Sequence, residues 1–63
     1  MKHNSQINEI VNGFIKLNKI YTDNLLEFYL EEYYSNNPIP IEKRPMIWIK
    51  VSNLLESHYG IQS

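Results

Sequence analysis

A chain of 63 residues with no cysteine holds one small domain at most, and it excludes disulfides and thiolate metal sites. The formal net charge of −1 gives no global attraction to nucleic acid or anionic lipid. The 43% hydrophobic content, with five Tyr, two Phe and one Trp, is too apolar for a disordered segment.

A domain this small buries only ~60% of the surface that its unfolded chain exposes, so a supplement to the core is expected. His3 and His58 lie far apart, and neither has an acidic or histidine partner at ligand spacing, so no metal or cofactor is expected. By elimination the supplement is a partner chain. Ile, Asn, Lys and Tyr make up 27 of the 63 residues and there is no Ala. Ala is the best helix former, so its absence points to an AT-rich genome, such as a low-GC bacterium or a phage, rather than to a folding choice. The first residues lead into no apolar core of signal-peptide type, and no run approaches the ~20 apolar residues of a membrane span. A cytoplasmic location is the expectation.

The first segment, about residues 5–34, carries apolar side chains at Ile7, Ile10, Val11, Phe14, Leu17, Tyr21, Leu25, Phe28 and Tyr29, spaced by three and four throughout. The stripe keeps its phase, which predicts one long helix of ~45 Å. The competing reading is a break near residues 18–23, where Asn18 and Thr22-Asp23-Asn24 are poor helix formers and Thr22 suits a cap. Gly13 is a weak point in either case. Asn18 on the stripe has two readings, a polar group fixing register in a helical interface or the mark of the break.

Residues 35–41 predict a linker. Asn36 or Asn37 suits a left-handed helix end, and Pro38 and Pro40 push the residues before them out of helical space. A second helix follows over about residues 42–59, with Pro45 tolerable only near its start. Ile47, Val51, Leu54, Leu55 and His58 form its expected buried stripe, Trp48 and Tyr59 lie at one edge, and Gly60 ends it. The fold class is therefore all-α, a two- to three-helix bundle. A helix of ~25 Å cannot cover one of ~45 Å, so the uncovered stripe predicts self-association, as a homodimer.

Asp23 to Tyr34 is the most distinctive stretch. It holds four acids, no base and four aromatics, while residues 1–20 carry a net +2. Glu27, Phe28, Glu31, Glu32, Tyr33 and Tyr34 are the candidate protein-binding residues, with aromatic anchors and carboxylates that steer a basic partner. The plainer reading is an amphipathic helix with solvated acids and aromatics in the core. Paired carboxylates such as Glu27 and Glu31 do not by themselves make a catalytic site, and no nucleophile accompanies them. Lys43, Arg44, Trp48 and Lys50 are the alternative, nucleic-acid-binding set, with cations for phosphate and an aromatic for stacking. Its footprint is thin. The leading expectation is a non-enzymatic regulator, inhibitor or assembly accessory that docks on another protein. The alternatives are a dimeric DNA- or RNA-binding protein and a structural oligomer subunit.

Overall fold

Asn18 to Thr22 divide the first segment in two. The computed structural model describes residues 2–61, in which α1 (Lys2–Leu17), α2 (Asp23–Asn36) and α3 (Arg44–Tyr59) run up, down and up, with a 3-10 turn at Ile41–Lys43 leading into α3. The all-α class holds, and the single long helix does not. The principal extents are 29 × 21 × 18 Å, too short for a continuous helix of ~45 Å.

Local chemistry makes the break. The Asn18 amide N–H still bonds to the Phe14 carbonyl at 3.0 Å, and the Asn18 side-chain amide donates to the same carbonyl at 3.1 Å. Asn18 therefore closes α1. Thr22 has extended backbone angles, and its Oγ1 accepts from the Leu25 amide at 3.1 Å, which is an N-cap. Asp23 in the first turn complements the positive helix end. Between them Tyr21 turns into the core.

The break resets the helical phase, and the buried positions move with it. In α1 the core residues are Ile7, Ile10 and Phe14, as expected, but Leu17 is 74% exposed. In α2 they are Leu26 and Leu30; Leu25 is half-buried and Phe28 is 72% exposed. Phe14 is fully buried, and three tyrosine rings meet it edge-on: Tyr21 at 6.0 Å, Tyr29 at 5.8 Å and Tyr59 at 6.3 Å between centroids. The Tyr59 hydroxyl also donates to the Asn18 carbonyl at 2.6 Å, tying the end of α3 to the break. With α2 folded back on α1, no half-stripe is left over, and the length mismatch that predicted a homodimer disappears.

The linker and α3 follow the sequence closely. Asn37 is not left-handed, however; its φ is −135°, and the side-chain amides of Asn36 and Asn37 donate instead to the Glu32 and Tyr33 carbonyls, each at 3.1 Å. Ile39 leaves the linker for the core. Pro45 sits in the first turn of α3, where no helical hydrogen bond is lost. Ile47, Val51 and Leu55 are buried, whereas Leu54 and His58 are exposed, so the expected stripe was too wide on one side. Gly60, at φ 75°, forms a Schellman end, with the Ile61 amide on the Glu56 carbonyl and the Gly60 amide on that of Ser57. No helix among the described residues is long and apolar enough to cross a membrane.

Gly13 is required by packing. A Cβ at this position would overlap the hydroxyl of Tyr29, whose ring lies on Phe14. Gly13→Ala is expected to lower stability by about 1–3 kcal/mol, despite the better helix propensity of Ala. In a Tyr29→Phe background, which lacks the clashing oxygen, the same change should be close to neutral. Urea denaturation of the four variants in this cycle measures it, and an equal effect in both backgrounds would show that Tyr29 is not the cause.

Candidate functional site

The α2 side chains divide among three surroundings. Leu26 and Leu30 fill the core. Tyr29 and Tyr33 turn to α1, where the Tyr33 hydroxyl donates to Glu9 Oε1 at 3.0 Å. Tyr33 thus packs against α1 and stays half-exposed. Tyr34 turns to α3, and the Arg44 guanidinium lies 4.4 Å from its ring centre. Arg44 Nε also donates to the Ile39 carbonyl at 3.1 Å, so one side chain holds both the linker and an aromatic of α2.

What remains of the acidic-aromatic stretch faces outward. Phe28 and Glu32 are exposed on the side of α2 away from the core, and Glu27 and Glu31 border a groove between α2 and the start of α3. Its volume is ≈ 390 Å³. Leu30, Tyr34 and Trp48 make its inner wall, and Ile41, Arg44 and Pro45 its other bank. Ile41 is 76% exposed, an apolar side chain held in solvent by the 3-10 turn. Sequence reasoning places it in the linker and gives it no role. The signal was an isolated Ile between Pro40 and Glu42, too short to show periodicity.

The alternative set of residues is split by the fold. Arg44 and Trp48 join Glu27, Glu31 and Tyr34 in the α2/α3 groove. Lys43, at the end of the 3-10 turn, and Lys50, on α3, lie instead along the groove between α3 and α1. Of the three cations only Arg44 therefore shares a surface with the stacking aromatic. Among the described residues no group of three or more His, Asp or Glu is placed to hold a metal ion.

Beyond Asp23, the acids of α2 do not help the helix that carries them. Asp23, Glu27 and Glu31 form a column at i, i+4 spacing, and each like-charge pair destabilises by about 0.2–0.5 kcal/mol. Asp23 has a partner, the Tyr21 hydroxyl, which donates to it at 2.8 Å. The last turn of α2 carries no base to offset the negative helix end. Glu27 and Glu31 thus belong to the surface and not to the stability of the fold, whereas Asp23 also supports the break.

The chain was compared with known protein families, with curated proteins and with solved structures, and it matches none of them.

Two measurements follow from these electrostatics. Glu27→Gln breaks both like-charge pairs of the column and is expected to raise stability by about 0.5–1 kcal/mol; a fall in thermal midpoint would show that Glu27 makes a compensating contact. The second concerns the tyrosines. Burial, first of all, pushes the phenols of Tyr21, Tyr29, Tyr33 and Tyr34 above the ordinary value near ~10, with Asp23 adding to the effect on Tyr21 and Glu9 to that on Tyr29 and Tyr33. For Tyr34 the Arg44 charge works in the opposite direction. Above pH ~10 the unfolded chain therefore binds fewer protons than the folded one, and stability falls as pH rises. It is fully present below ~10 and is lost as the pH climbs through the raised folded values. Tyrosinate absorbance and helical circular dichroism should change together in alkali. Ionisation of these four phenols near ~10 with the helix signal intact would contradict this.

Proposed function

We propose that this chain is a non-enzymatic binding protein, a small regulator, inhibitor or assembly accessory, which docks a basic, amphipathic segment of another protein in the α2/α3 groove. The observation that carries the reading is the combination of apolar side chains left in or near water with an acidic rim. Ile41 is strongly exposed, Trp48 and Tyr34 are half-exposed, and Glu27 and Glu31 border them. Aromatic anchors surrounded by charge are the usual makings of a binding hot spot. The like-charge column supports it too, since a cationic partner relieves a repulsion that the fold leaves standing. Arg44 is spent on Tyr34 and the linker, which favours this reading over binding of phosphates.

The test uses two designed amphipathic helical peptides with one apolar face, one lysine-rich and one glutamate-rich, titrated into the isotopically labelled protein. The lysine-rich peptide is expected to shift the resonances of Ile41, Trp48, Glu27 and Glu31, less so as salt is raised. Glu31→Lys should weaken that binding by ~10-fold or more without loss of helix signal. Equal response to both peptides, or shifts that avoid the groove, would overturn the reading.

A further inference from the structure

A second groove, between α1 and α3, has the opposite character. Its part nearest the linker has a volume of ≈ 190 Å³, walled by Ile7, Ile47 and Met46 and bordered by Lys43 and Lys50. It continues past Ile7 and Lys50 to Asn8, Asn53 and the half-exposed Leu54. No acid is among its lining residues. The groove is apolar with a basic edge, where the outer face of α2 is an exposed phenyl ring between carboxylates.

These two surfaces are complementary in both charge and hydrophobicity. On α2, Phe28 stands out between Glu31 and Glu32, and all three are exposed. Lys43, the last residue of the 3-10 turn, and Lys50 of α3 are seven residues apart, about two helical turns, with Met46 and Leu54 of α3 exposed on the same side. A ring that enters beside Met46 brings its flanking carboxylates to the two ammonium groups. We propose that the α1/α3 groove receives the outer face of α2 from a second copy of this chain, so that copies associate head to tail. The proposal rests on the reading of the acidic α2 surface as an interface, and it names a partner for the part of that surface centred on Phe28.

The arrangement of helices decides the geometry. Leu26 points into the core, and Phe28, two residues on, points about 200° away from it, out of the bundle. The α1/α3 groove lies across the bundle from α2. A surface and its complement on opposite sides cannot pair twice around one two-fold axis, so the contact is heterologous and adds copies in a row. The association therefore does not stop at a closed dimer.

Sedimentation equilibrium from micromolar to millimolar concentration, at low and at physiological salt, is the experiment. The average mass of the wild type is expected to rise continuously with concentration, past that of a dimer, and less steeply when salt screens the pairs. Lys43→Glu with Lys50→Glu removes the groove and Phe28→Lys removes the inserted ring, so each variant alone should stay monomeric. All three positions are exposed, and the helix signal is expected to persist. Mixed in equal amounts, the two variants should form a one-to-one complex that stops there, because one retains the acidic face and the other the groove. The neutral pair Lys43→Gln and Lys50→Gln should weaken association by ~10-fold, which guards against a misfolded charge-reversal variant. A wild type that stays monomeric, one that stops at a dimer, or variants that stay apart when mixed would each overturn the proposal. The Lys43→Glu, Lys50→Glu variant should still bind the lysine-rich peptide, so loss of self-association and loss of target docking are read separately.

Discussion

One buried ring organises this protein. Phe14 is met edge-on by Tyr21 from the break, Tyr29 from α2 and Tyr59 from the end of α3. Each such pair adds about 0.5–1.5 kcal/mol to the stabilisation from burial, a large share for a domain of marginal core. The tyrosines also have polar ends, and two of these find partners at the break itself, Asp23 for Tyr21 and the Asn18 carbonyl for Tyr59. The same contacts that fill the core thus hold the chain reversal in place. Gly13 belongs to this arrangement, because only a residue without a side chain lets Tyr29 reach its position.

Features that act locally were legible in the sequence. Pro38, Pro40, Pro45 and Gly60 restrict backbone angles whatever surrounds them, and the linker and both ends of α3 lie close to where these residues place them. Periodicity does not reveal the break, because spacings of three and four can be drawn straight through residues 18–22 although the helical phase is reset there. Thr22 and Asp23 carried the correct local signal, a cap and a first-turn acid, and the apolar pattern outweighed them. Which side chains of α2 are buried follows from which of the two readings holds. A wheel drawn through Tyr21 puts Leu25 and Phe28 inside, whereas a new helix starting at Asp23 puts Leu26 and Leu30 there.

The candidate site was half legible for the same reason. Its acids and aromatics were visible as a composition, but which aromatics belong to packing depends on the phase of α2. Tyr33 bonds to Glu9 and supports the fold; Phe28 stands exposed. Arg44 changed most in meaning. Beside Lys43 it reads as part of a basic cluster, yet the helix turns the two apart, one over Tyr34 and the other toward α1.

That placement of Arg44 also limits what the α2/α3 groove can recognise. Two carboxylates and one guanidinium border it, so its local charge is only slightly negative. At physiological ionic strength, with a Debye length of ~8 Å, so small an imbalance steers and orients a ligand but contributes little affinity. Affinity has to come from the apolar surfaces of Ile41, Trp48 and Tyr34, which gain only when water leaves them. A simple polycation offers nothing to those surfaces, and a purely apolar segment is not oriented by the rim. For the docking we propose, the segment that satisfies both is a helix with an apolar face and a few cations beside it.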